Sequence, residues 1–154
     1  MTHRTIVTFI MVAAVSLLVP AAAAALEPVA GQGAKRLVIR GYDTTAYFTK
    51  GGLRSGSPTH EVRWKGATWR FATATDAAKF RANPTAFAPQ FGGYCTGGLS
   101  QRHVVTANPR IWRIHRGKLY MFAAQAGGRR FDKNPAAVIR AAHAYWKTLP
   151  VKSR

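Results

Sequence analysis

The sequence predicts a small single α+β domain, with two β-hairpins packed by short helices and closed by a C-terminal amphipathic helix. Three observations carry that prediction. Apolar and polar residues alternate with period two around a Lys-Gly turn in "EVRWKGATWRFAT" and around an Arg-Gly turn in "RIWRIHRGKLYMF". After the first hairpin, and again near the C-terminus, the apolar spacing switches to the helical period. With 154 residues and four tryptophans, the chain has enough material for one modest core.

The elements follow in order. Residues 1–25 read as a cleaved secretory signal peptide: Arg4 supplies the positive start, Ile6 to Val19 the apolar run, and Ala21 to Ala25 the small-residue cleavage site. The apolar run is shorter than the roughly 20 residues a membrane span requires. A periplasmic or secreted protein that is not membrane-spanning after cleavage is therefore expected. Residues 26–35 contain Pro and Gly without an apolar period and are expected to form a flexible leader. The domain is expected over 36–150, followed by a tail at 151–154. It opens with the short apolar runs of "RLVIRGYDTTAYFTKG", and "GGLRSGSP" is a loop. In the first hairpin Val62 and Trp64 alternate with Arg63 and Lys65, and Trp69 and Phe71 flank Arg70. Thr73 and Asp76 have capping-box spacing at the head of a short helix that places Phe80 on the sheet and stops at Pro84. In the second hairpin Trp112 and Ile114 point one way, Arg113 and His115 the other. Asn134 and Pro135 then read as the N-cap and first residue of the last helix. Its apolar stripe is Val138, Ile139, Ala142, Tyr145, Trp146 and Leu149, ending near Pro150. No Rossmann or P-loop pattern and no short-period repeat is present.

Charge and sulfur bound the function. There are 23 Lys and Arg against 5 Asp and Glu, and signal cleavage removes only Arg4 from that balance. Such a surface attracts polyanions. The basic residues are nevertheless spread along the chain without a long block, and no nucleic-acid motif is present, so no specific nucleic acid is implied. A lone cysteine, Cys95 in "FGGYCTGGLS", cannot form an intrachain disulfide even in an oxidising compartment.

At "WRFATATDAAKFRANPTAF" the chain resembles the YHS domains of copper-transporting ATPases and other metal-handling proteins. Phe71, Phe80, Pro84 and Phe87 fall on that family's aromatic frame, with Thr73 in its serine place. Upstream, Asp43 of "YDTTAYF" matches the family's aspartate. From "RGYDTTAYF" through "PQFGGYC" to "KLYMF" and "AAHAYW", most of the mature chain resembles exported bacterial YHS-domain proteins. The resemblance implies the fold and carries a metal role as an option. Where metal-handling members have cysteines, this chain has Ala46, Ala72 and Asp76. Alanine cannot coordinate, and one carboxylate does not make a soft-metal site.

Three functions remain open at this stage. The first is an exported YHS-domain binding module handling a transition metal, copper before zinc, through Cys95 with His103 and Met121 as partners; His60 and His115 are further donors. Seven residues separate Cys95 from His103, which is no compact ligand motif. The second is a basic scaffold that binds an anionic envelope component or a partner protein. The third is a thiol-dependent enzyme, with Cys95 as nucleophile, His103 as base and backbone amides near Gly97 and Gly98 as oxyanion donors. Against all three stands the ordinary fate of a free cysteine, a small buried side chain.

Overall fold

The computed structural model describes residues 24–152, so the expected signal peptide lies outside the described residues except for its last two positions. The architecture is α+β, with a four-stranded sheet, a separate two-stranded sheet and helices packed on both.

The leader does not behave as the sequence suggests. Strand β1 (Gly31–Gln32) pairs antiparallel with β2 (Leu37–Val38), and Val29 and Ala30 are buried. Leu26 forms a parallel bridge to Val151: its N–H donates to Pro150 O at 2.7 Å, and Lys152 N–H donates to its carbonyl at 2.8 Å. Residues 26–35 are thus part of the fold. Backbone pairing and the isolated apolar pair Val29-Ala30 hold them, so no side-chain period marks the segment.

Strands β3 (Ser57–Trp64) and β4 (Ala67–Phe71) form the first expected hairpin, turning at Lys65 and Gly66, both at positive φ as a two-residue hairpin turn requires. β2 joins β4 in parallel, giving the order β1-β2-β4-β3. Helix α1 (Ala74–Ala82) starts at Thr73, whose Oγ1 accepts the Asp76 N–H at 3.1 Å and donates to the Asp76 carboxylate at 2.7 Å. The N-cap half of the predicted capping box is present, with the Asp76 carboxylate turned to the Thr73 hydroxyl rather than to its backbone N–H. A one-turn helix α2 (Pro84–Phe87) follows. Trp64, Trp69 and Phe80 meet in one core, with ring centroids 4.8–5.7 Å apart. Full burial of each such aromatic contributes about 2–3 kcal/mol.

The second half contains a one-turn helix α3 (Thr96–Leu99), strands β5 (Asn108–His115) and β6 (Lys118–Phe122), and helices α4 (Gln125–Lys133) and α5 (Pro135–Thr148). Asn134 caps α5 by accepting the Ala137 N–H, and Val138, Ala142 and Trp146 are buried on the predicted stripe. Strand β6 is buried on both faces. Leu119 and Met121 join the first core, with Trp69 and Phe80, while Tyr120 and Phe122 join a second one, with Phe131, Val138 and Trp146. The alternation in β5 does not sort its faces into buried and exposed: Ile114 is exposed near the turn, while His115 packs its ring on Phe131 at 5.7 Å.

The two halves share one backbone plan, a long repeat that no short period reveals. β3 and β5 have eight residues each, β4 and β6 five, α1 and α4 nine. Both hairpins turn with the same pair of positive φ values, 48° and 68° at Lys65-Gly66 against 49° and 70° at Arg116-Gly117. Both carry a bulge at the same place in their register. Asn83 and Asn134 sit at φ −149°, ψ 76° and φ −153°, ψ 79°, each followed by a proline. Ahead of each hairpin, a left-handed turn runs through Ile39, Arg40 and Gly41 in one half and Phe91, Gly92 and Gly93 in the other. That turn presents Tyr42-Asp43-Thr44 and Tyr94-Cys95-Thr96 at matching places, and both tyrosines form isolated antiparallel bridges, to Ser55 and Thr106.

Candidate functional site

The repeat explains what surrounds Cys95. In the first half Asp43 is completely buried. Its Oδ1 accepts the Thr45 N–H and hydroxyl at 2.8 and 2.7 Å, and its Oδ2 accepts the Ala72 N–H at 2.9 Å. In the second half Cys95 Sγ takes the carboxylate's place. It accepts the Gly98 N–H at 3.2 Å and the Ala123 N–H at 3.1 Å, and Ala123 follows β6 as Ala72 follows β4. Each acceptor ties the loop ahead of its hairpin to the end of that hairpin. The matching threonines, Thr44 and Thr96, are buried with hydroxyls that have no hydrogen-bond partner among the described residues.

The carboxylate version is reinforced by charge. Arg54 pairs with Asp43 at 3.4 Å and also with Asp76, and Lys79 adds a contact to Asp76 at 3.4 Å. Burial pushes the Asp76 carboxyl up, but the Thr73 hydroxyl, Arg54 and Lys79 outweigh it and hold the group below its usual value. Asp76 thus belongs to a salt-bridged carboxylate cluster that Ala72 joins through its backbone N–H. In the second half Gly127 stands where Asp76 does. A Cβ on Gly97 would come within 3.0 Å of the Gly127 Cα, so bare backbones meet there and no charge enters.

The three residues suggested as metal ligands occupy different places. Cys95 is buried at the edge of the second core. His103 is exposed, although its N–H donates to Gly98 O at 2.9 Å and so keeps its backbone near the Cys95 loop. Met121 is fully buried in the first core, on the other face of β6 from Tyr120 and Phe122. The fold does not bring the three together. Among the described residues no group of three or more His, Cys, Asp or Glu could hold a metal ion. The nucleophile arrangement is not assembled either: Gly98 N–H, suggested as an oxyanion donor, points at Sγ itself.

The structure also presents a groove that no motif signals. Two adjoining concavities share Gln90, Phe91 and Trp146. The inner one, about 160 Å³, adds Trp64 and Lys65; the outer, about 500 Å³, adds His143 and Lys147. Lys65 Nζ lies 5.0 Å from the centre of the Trp64 ring, and His143 stacks obliquely on Phe91 at 4.8 Å. Partial burial, with Lys147 and Lys118 nearby, holds the His143 imidazolium below its ordinary range. The only trace in the sequence is the pair of dipeptides Trp64-Lys65 and Trp146-Lys147, too far apart to be linked without the fold.

No family model, no curated protein and no solved structure matches this chain.

Proposed function

We propose that this chain is an exported binding module on a YHS-like scaffold, which engages an anionic envelope component through its basic surface. The observation that carries the reading is the fate of the acids. Glu27, Asp43, Glu61, Asp76 and Asp132 all stand in ion pairs with Lys or Arg. Asp132, the sole acid after Ser100, accepts from both Nε and Nη2 of Arg113 at 2.7 Å.

Exposed cations remain on both sides of α5. Arg130 and Lys133 border a concavity with Ala137 and Ala141, while Arg116, Lys118 and Arg140 border another with Ala136 and Ile139. With the acids occupied locally, these cations have no internal competitor for an external polyanion. A copper or zinc site at Cys95 would require the His103 side chain to swing inward and Met121 to leave the first core.

The test is co-sedimentation of residues 26–154 with vesicles containing acidic phospholipid, beside purely zwitterionic vesicles. Binding to the acidic vesicles alone is expected, falling about tenfold or more between low and physiological salt. Charge reversal by Arg130→Glu with Lys133→Glu should remove most of it. Salt-insensitive binding, or none, would reject the reading.

A further inference from the structure

We propose that the groove between Trp64 and Trp146 is a binding site for a small organic anion built on a single flat ring, of the aromatic carboxylate class. Four features of the groove point to that class.

The first is size. The inner concavity, about 160 Å³, matches the roughly 150 Å³ that accommodates one benzene-sized ring in a protein interior. The second is the wall. Trp64, Phe91 and Trp146 contribute aromatic surface from three separate elements, and Phe91 and Trp146 stand at 70° to each other with centroids 5.9 Å apart. Rings so disposed offer both a face and an edge to an incoming ring. The third is charge. Lys65 stands at the inner end and Lys147 at the outer, and no carboxylate lines either concavity. Glu27, the nearest acid in sequence to the Pro28-Val29 wall, is engaged by Arg36 and Lys152. The fourth is the shortage of other polar side chains. Besides the indole N–H groups of its two tryptophans, the inner concavity has Thr85, Gln90 and Lys65 as hydrogen-bonding side chains, too few to satisfy a sugar's hydroxyls but enough to orient one carboxylate.

In this arrangement the ring lies against Trp64 and Phe91 with its carboxylate at Lys65, whose ammonium shifts from the Trp64 face to the anion. Substituents on the ring extend toward His143 and Lys147. The site does not depend on the polyanion surface: Arg130 and Lys133 line neither concavity.

The experiment uses residues 26–154, intrinsic tryptophan fluorescence and ligand-observed saturation-transfer NMR, with benzoate as the probe. Benzamide serves as its neutral counterpart and cyclohexanecarboxylate as its non-aromatic one. Saturable benzoate binding is expected, with benzamide weaker by about tenfold through loss of a charge-assisted contact, and cyclohexanecarboxylate weaker by about threefold or more through loss of the aromatic contacts. Lys65→Met, at an exposed turn position, should weaken benzoate by a similar factor without moving the melting temperature. Arg130→Glu should leave benzoate binding unchanged while weakening attachment to acidic vesicles, so the two readings fail separately. Absence of saturation, equal affinity for benzamide or cyclohexanecarboxylate, or indifference to Lys65→Met would each overturn the proposal.

Discussion

Asp43 and Cys95 occupy matching positions and do the same mechanical work with different atoms. Each accepts the N–H that follows its hairpin, from Ala72 and Ala123. Cys95→Ala leaves that donor and the Gly98 N–H without an acceptor, so unfolding free energy should fall by about 1–3 kcal/mol. Cys95→Ser keeps an acceptor and should lose less; urea denaturation of the two variants measures the difference. Asp76 tests the charged half. Its carboxyl is held below the ordinary value of 3.8, so its stabilising contribution is complete above the unfolded pKa and disappears as pH falls through the folded one. Asp76→Asn should therefore cost about 1 kcal/mol at neutral pH, through the ion pairs to Arg54 and Lys79, and flatten the acid limb of the stability profile. Thermal melts from pH 7 down to pH 3 decide this. The contact of Asp76 with Thr73 was legible from their spacing. The role of Cys95 was not, because its sulfur is placed by a long-range contact to Ala123.

At the scale of elements, legibility followed side-chain pattern. Both hairpins, α1 and α5 have a period or a cap that can be read directly. Helix α4 has neither advantage. "QAGGRRFDK" carries two adjacent glycines, which disfavour a helix, yet the fold uses both. Gly127 lets α3 approach through Gly97, and Gly128 leaves room for the Arg113 guanidinium, 3.3 Å from where a Cβ would sit. The leader was misread for the same kind of reason. Its anchor is Ala30 N–H to Gly92 O at 2.8 Å, and a Cβ at Gly92 would stand 2.1 Å from Pro28 O. Gly92 also has φ +63°, so Gly92→Ala should cost about 3 kcal/mol or more through strain and clash together. Gly117→Ala has a similar φ but open space, and should cost only about 1 kcal/mol. Chemical denaturation of the pair separates clash from strain.

For the whole molecule, the long repeat escaped the sequence because backbone geometry persisted while side chains diverged. Tyr42 and Tyr94, Gly66 and Gly117, Phe71 and Phe122, Phe80 and Phe131, and Pro84 and Pro135 still match. Thr68 corresponds in the repeat to Leu119, Arg70 to Met121 and Asp43 to Cys95, which breaks any hydropathy signal. The halves do not stand apart as two domains. Strand β6 places Leu119 and Met121 in one core and Tyr120 and Phe122 in the other, so neither core closes without it. Calorimetry should accordingly show one transition with equal van't Hoff and calorimetric enthalpies. Two separated peaks would mean that the halves melt independently.

The bridge from Leu26 to Val151 has a consequence for how this chain can be handled. It closes residues 26–152 into nearly a ring, with Val151 and Lys152 at the rim of the outer concavity. An affinity tag attached directly before Leu26 or after Lys152 would emerge beside that rim and crowd it. In a fragment of residues 26–152, joining Lys152 to Leu26 and reopening the ring in the exposed Lys50–Gly51 loop would move such cargo elsewhere while leaving every strand pairing in place.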